Sequence, residues 1–243
     1  MDRSPFPQPV LIERTGNVLS FRLNRPDAGN EVSSLMFEAM TAALRSEAAE
    51  PSARVLRIRG SGNMFCTGRE RAGRDAVSIR SEVARLIELK RLVRGTSMIS
   101  IAEVHGDAHG FGFGLAILCD FTLVSSRATL AFPEMRKGLP PAAIMAYLGR
   151  YALPKTLFPM VLFGDTLTPA AALQAGLITQ VCEAAALRGD ADALTDRILA
   201  LDDAGVRQCK AFFQSAEESP IEQNFRSATD MLTVTSLRLM QGR

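Results

Sequence analysis

Hydrophobic and polar positions first fall into register near the N-terminus. Leu19, Phe21 and Leu23 alternate with Val18, Ser20 and Arg22 after a Thr15-Gly16-Asn17 turn, the period-two pattern of a half-buried strand. Arg25-Pro26-Asp27-Ala28-Gly29-Asn30 breaks that pattern, and the period then changes. Met36, Met40 and Leu44 recur at i, i+4 and i+8 behind a Ser33 or Ser34 cap, which predicts a helix. Val55-Leu56-Arg57-Ile58-Arg59 reads as a second strand, closed by Gly60-Ser61-Gly62-Asn63. Residues 79–94 form a strongly charged amphipathic helix with Val83, Leu86, Leu89 and Leu92 on its apolar side. A strand over 99–104 runs directly into a glycine-rich turn, a helix is expected over 111–118, and Phe121-Thr122-Leu123-Val124 returns as a strand. This strand–helix repetition argues for crossover units and a largely parallel sheet.

Beyond Pro140 the pattern turns helical. Thr168 reads as an N-cap with Pro169 at the first helical position of a short helix to Ala175. Leu177-Ile178-Thr179-Gln180-Val181 is a short extended link, and residues 190–201 are helical. Ile221, Phe225, Ala228, Leu232 and Leu239 mark a last helix. Pro159 weighs against an unbroken helix through Leu157-Phe158-Pro159-Met160-Val161. The expected organisation is an α/β core over residues 1–190 and a helical C-terminal lobe over 191–243, acting as one functional unit.

Composition narrows the picture. With 243 residues, 47% hydrophobic and 22% charged, the chain can bury a sizeable core and fits an α/β protein. A net charge of +2 and a pI near 8.4 are too mild to make nucleic acid the main partner. No apolar run reaches membrane-spanning length, and Met1-Asp2-Arg3-Ser4-Pro5-Phe6-Pro7 lacks the apolar core of a secretion leader, so a cytoplasmic location without a membrane partner is expected. Cys66, Cys119, Cys182 and Cys209 are scattered, as buried reduced thiols would be. His105 and His109 have H-x-x-x-H spacing but sit in the glycine turn, so no metal site is expected.

The chemistry-bearing segment is His105-Gly106-Asp107-Ala108-His109-Gly110-Phe111-Gly112-Phe113-Gly114-Leu115-Ala116, followed by Cys119-Asp120 and then Phe132-Pro133-Glu134. A dinucleotide fingerprint would need a glycine where Leu115 stands. Two readings remain open. The glycines let helix and sheet approach closely, or they aim backbone N–H groups at an oxyanion from a helix N-terminus. Glu134 is equally two-sided, since Pro-Glu suits the first turn of a helix and also supplies an acid–base group. Asp107 has the ordinary turn role of accepting local backbone N–H groups.

Four ordered segments resemble the crotonase superfamily, the enoyl-CoA hydratase/isomerase family. Leu23-Asn24-Arg25-Pro26-Asp27-Ala28-Gly29-Asn30 is similar to its first signature, and Met64-Phe65-Cys66-Thr67-Gly68-Arg69-Glu70 to its second. The glycine turn through Cys119-Asp120 resembles the third, and Phe132-Pro133-Glu134 through Gly138-Leu139-Pro140 the fourth. Phe163-Gly164-Asp165 and Ala171-Ala172-Leu173-Gln174-Ala175-Gly176-Leu177-Ile178 extend the likeness. The resemblance implies a crotonase-like (ββα)-repeat spiral core with the helical C-terminal lobe.

It further implies an acyl-CoA substrate, no cofactor beyond the coenzyme A of that substrate, and a homo-oligomer, trimer or hexamer. On the family motifs, the backbone N–H groups of Arg69 and Phe111 would form an oxyanion hole for the thioester carbonyl, each donor worth about 3 kcal/mol to the barrier. Arg25, Ala28, Cys66, Thr67, Gly68, Arg69, Glu70, Gly110, Phe111 and Gly114 would line the substrate site. The family's hydratases carry one glutamate in the glycine-turn helix and a second twenty residues on; here the spacing is kept (134 − 114 = 20) but the first position is Gly114. One carboxylate suits moving a proton between two carbons better than adding water. The resemblance therefore favours Δ3,Δ2-enoyl-CoA isomerisation with Glu134 as acid–base group. A hydratase with Glu70 or Asp107 assisting, a hydrolase or decarboxylase, and a catalytically weak CoA-binding homologue are the alternatives. Phe111 and Phe113 would narrow the acyl pocket or simply pack in the core. Family members usually continue past the last helix with a tail that reaches the nucleotide end of CoA, whereas this chain stops at Leu239-Met240-Gln241-Gly242-Arg243, so the resemblance implies either weaker nucleotide binding or reliance on Arg22 or Arg25.

Overall fold

The computed structural model describes residues 8–241; the leader reading at residues 1–7 and the final Gly242-Arg243 lie outside them. A hairpin of β1 (Val10–Thr15) and β2 (Val18–Leu23) opens the described chain, turning at Gly16 with φ +55°. Then follow α1 (Ser34–Ala49), β3 (Val55–Gly60), α2 (Ala76–Gly95), β4 (Ile99–Val104), β5 (Ala108–His109), α3 (Phe111–Ile117), β6 (Phe121–Ser125) and β7 (Leu130–Ala131). A 3₁₀ turn at Pro133–Lys137 leads to α4 (Ala142–Leu148), α5 (Pro154–Phe163), α6 (Pro169–Gln174), β8 (Gln180–Cys182) and α7 (Leu187–Leu199). The last helices are α8 (Asp203–Ala216) and α9 (Ile221–Gln241).

The main sheet runs β1-β2-β3-β4-β6-β8, antiparallel only in the first pair, while β5 and β7 form a separate parallel pair. The mixed α/β core and the helical C-terminal region are those the sequence implied. The chain divides into two compact units, residues 1–200 and 201–243. α7 joins the first of these units, which extends to Ala200. It does so by packing Leu187, Ala191 and Ile198 against Val55, Ile101 and Leu123 of the sheet. Polar contacts reinforce this face: Arg57 Nε donates to buried Glu103 at 2.6 Å, and its Nη1 to Asp192 on α7 at 2.5 Å.

Most periodicities become burial as expected. Leu19, Phe21 and Leu23 are buried while Val18, Ser20 and Arg22 are half-buried, and Met36, Met40 and Leu44 all face the core. Ser33 caps α1 through the Met36 N–H, and Thr168 caps α6 through the Ala171 N–H. In α2 the expectation needs correction. The helix starts at Ala76 behind an Asp75–Ser78 capping box, its buried face is Leu86, Leu89, Lys90 and Val93, Leu92 is half-buried and Val83 is exposed. Cys209 is exposed, unlike the other three cysteines.

Pro159 sits inside α5 without breaking it. The carbonyl it leaves unpaired belongs to Lys155, an exposed residue in the first turn, where water can serve as partner.

The approach of α3 to the segment before it depends on glycine. A Cβ at Gly112 would lie 2.0 Å from the Cys66 carbonyl oxygen, whereas one at Gly149 would meet nothing within 4 Å, with φ at −63°. Gly112→Ala is therefore expected to lower unfolding free energy by roughly 3 kcal/mol, and Gly149→Ala to leave it unchanged or raise it by about 0.5 kcal/mol. Urea denaturation of the two variants checks both signs.

Candidate active site

Three ties bring distant segments together. Asn30, fully buried with φ +55°, donates through Nδ2 to the carbonyls of Ser61 and Met64, and its Oδ1 accepts the Arg25 N–H. Thr67 donates to the Gly29 carbonyl through both its backbone N–H and its hydroxyl. Cys66 accepts the His109 N–H at 2.9 Å, which sets the 65–69 segment beside the start of α3. Bulk is excluded at this junction, because Gly106 would place a Cβ 1.9 Å from the Asn63 carbonyl oxygen.

Glu134 reaches the same place from the other side. The β5–β7 pair and the Gly110 N–H bond to Ala131 align residues 130–134 with the turn. Phe132 stacks on Phe113 with ring centroids 4.9 Å apart, and Pro133 opens the 3₁₀ turn that aims Glu134. A Cβ at Gly110 (φ +52°) would stand 2.7 Å from Glu134 Oε1, so only a glycine admits the carboxylate here. Glu134 Oε2 is buried and has no hydrogen-bond partner among the described residues. Burial raises the Glu134 pKa above the usual carboxylate value, partly countered by its backbone amide and by the charges of Lys90, Arg71 and Lys137.

The remaining residues sort clearly. Phe111 is the first residue of α3 and its ring packs edge-on against Phe37 at 5.2 Å; with Phe113 wholly buried, both phenylalanines serve the core. Arg69 forms an isolated parallel bridge with Val32, and its guanidinium lies 3.7 Å from Glu82. Gly68 accepts the Val32 N–H and the Cys66 thiol, and burial pushes that thiol up to about 12. Ala28 is exposed at the end of a one-turn 3₁₀ helix.

Glu70 is drawn away to an ion pair with Arg25 at 2.5 Å, and Asp107 accepts the Thr129 N–H. Arg22 pairs with Glu13, His105 with the Gly62 carbonyl, and His109 with the Thr129 hydroxyl. Two surface cavities of about 510 and 450 Å³ run along α1 and α2, and Glu134 lines neither.

The sequence reading missed Lys90 and Tyr147. Lys90 Nζ donates to Tyr147 Oη at 3.0 Å and lies 5.5 Å from the centroid of the Phe111 ring. Tyr147 Oη in turn donates to the Gly114 carbonyl at 2.7 Å. The available signal was Lys90 falling four residues after Leu86, on the apolar stripe of α2.

Residues 13–238 match the family model described as enoyl-CoA hydratase/isomerase. "Probable enoyl-CoA hydratase echA6" of Mycobacterium tuberculosis is 34% identical over 130 residues, 54% of this chain and 52% of that one; the chain thus spans about half the length of the curated relatives it first matches. An enoyl-CoA hydratase structure from Mycobacterium smegmatis superposes with a TM-score of 0.90 at 27% identity, covering 94% of this chain and 91% of that one. A Thermobifida fusca protein solved in complex with CoA gives 0.86 at 25% identity, covering 96% and 95%. With the model matched over nearly the whole sequence, the chain belongs to the enoyl-CoA hydratase/isomerase family.

Proposed function

We propose that this protein processes acyl-CoA thioesters and that its reaction is the isomerisation of a 3-enoyl-CoA to the 2-enoyl isomer. The observation that carries the reading is Glu134 Oε2, a buried carboxylate oxygen without a partner beside the α3 N-terminus, in a site where position 114 has no side chain. The thioester oxygen accepts from the Arg69 and Phe111 backbone N–H groups. Glu134 removes the C2 proton, and the electron pair delocalises into the thioester as an enolate stabilised by those donors. The dienolate collapses with proton return from Glu134 to C4, so the double bond moves from C3–C4 to C2–C3 and no atom is gained or lost. CoA bound in the Thermobifida fusca neighbour supports the thioester assignment.

A hydratase is the second reading, supported by the names of the M. tuberculosis and M. smegmatis relatives. We also expect a homo-oligomer, trimer or hexamer, for which the exposed Ile221, Phe225, Leu232 and Leu239 of α9 offer an apolar face. No described helix is long and apolar enough to cross a membrane.

Glu134→Gln is expected to slow conversion of a 3-enoyl-CoA by about 10²–10⁴-fold, read as kcat/KM by the absorbance of the conjugated product. Arg69→Ala, which keeps the amide, should stay within about tenfold of the parent, as a side chain outside the donor set would. Since burial raises the Glu134 pKa, activity should begin to fall on acidification at a higher pH than a free carboxylate would dictate. Faster hydration of a trans-2-enoyl-CoA than isomerisation would transfer the assignment to the second reading.

A further inference from the structure

Position 114 has no side chain of its own, but the space beside it is filled. A Cβ built on Gly114 would lie 2.6 Å from Tyr147 Oη and 3.2 Å from Lys90 Nζ. Both groups arrive from other helices, Lys90 from α2 and Tyr147 from α4. Lys90 is only 5% exposed, and among the described residues no carboxylate lies within ion-pair distance of its ammonium. Its hydrogen bonds go to neutral oxygens, Tyr147 Oη at 3.0 Å and the Ala143 carbonyl at 3.4 Å. The Tyr147 hydroxyl gives its proton to Gly114, so it presents a lone pair to Lys90. A buried cation held this way is costly unless a nearby negative charge compensates it, and Glu134 Oε1 lies 2.7 Å from the Cβ position of Gly110, whose carbonyl accepts the Gly114 N–H one helical turn away.

We propose that Lys90, anchored by Tyr147, is the second ionisable group of the Glu134 site, a positioning residue whose ammonium holds Glu134 in its carboxylate form. The inference rests on the reading of Glu134 as the acid–base group and adds its electrostatic partner. The groups that act on Lys90 are Glu134 from the 3₁₀ turn, which favours the ammonium, and Arg69 from the segment after β3, which opposes it. Those acting on Glu134 are Lys90, Arg71 and Lys137, all favouring the carboxylate. Burial holds Tyr147 well above the usual phenol range as a neutral hydroxyl, and the charges of Tyr151 and Glu134 add to the shift. Burial brings Lys90 itself down to about 7, so its charge is labile near neutrality. The sign follows directly: losing the ammonium removes a charge that favoured the carboxylate, so Glu134 then takes up its proton at a higher pH.

The test is a pH titration by carbon-13 NMR of the full chain, with the Glu134 carboxyl assigned by its loss in Glu134→Gln and the Lys90 ε-carbon by its loss in Lys90→Met. Lys90 should titrate near 7 rather than 10.5. Glu134 should titrate at higher pH in Lys90→Met than in the parent and return toward the parent value in Lys90→Arg. The acidic limb of kcat/KM on a 3-enoyl-CoA should move with it. Tyr147→Phe, which keeps the ring, should change the Lys90 midpoint and serves if Lys90→Met does not fold. In the parent protein, a Lys90 already uncharged over the pH range in which Glu134 titrates would overturn the proposal. So would an unmoved Glu134 midpoint in a folded Lys90→Met protein. A coupled NMR titration without turnover of any enoyl-CoA would leave the proposal standing and refute the isomerase reading.

Discussion

Gly112 lies on the carbonyl of Cys66, and that backbone-to-backbone approach is what lets segments more than forty residues apart share one site. A methyl group at 112 would fall 2.0 Å from the oxygen, so the start of α3 and the 65–69 segment can meet only without it. Helix propensity argues against the element that results. Two glycines within seven residues cost about 2 kcal/mol relative to alanine, and a helix this short is marginal alone. Tertiary burial compensates, since all seven residues of α3 are buried, with Phe113 stacked on Phe132 and Phe111 against Phe37. The packing and oxyanion readings of the glycine turn were therefore never exclusive. Close packing positions the Phe111 amide, and the same Phe113–Phe132 stack sets the segment bearing Glu134.

Elements with a sustained period were legible. Leu19-Phe21-Leu23 and Met36-Met40-Leu44 name their own faces because each lies against a continuous core. Val83 misled because the first half of α2 does not cover that core; its stripe becomes buried only from Leu86 onward. The β5–β7 pair was invisible, as two-residue strands leave no period to read, and yet this pair aligns the Glu134 segment with α3. For the site, residue identities came from the ordered motifs, whereas partners did not. Glu70 and Asp107 were named from their places in the motifs, which said nothing of Arg25 and the Thr129 N–H as their partners.

Lys90 shows why the rest could not be read. A lysine on an apolar stripe usually extends its ammonium to water, and nothing local distinguishes one that turns inward. What turns this one inward lies on α4 and α3, in the Tyr147 hydroxyl and the aromatic faces of Tyr147 and Phe111. Those contacts supply lone pairs and π-density at the position where a second carboxylate would otherwise have sat.

The exchange alters the energetics of the site in a definite direction. Two carboxylates in one partly dry pocket raise each other's pKa, and one tends to stay protonated. A carboxylate and an ammonium there do the opposite, each reducing the desolvation cost the other bears alone. Burial still wins in part, since the Glu134 pKa stays raised and that of Lys90 lowered. Between those two titrations the site holds one base and one cation. In the proposed isomerisation, the base that takes a proton from C2 must release it again at C4, which asks for a carboxylate that is basic but reversibly so. Glycine at 114 is then more than the loss of an acid. It leaves room for the tyrosine and the lysine that keep the remaining acid ionised.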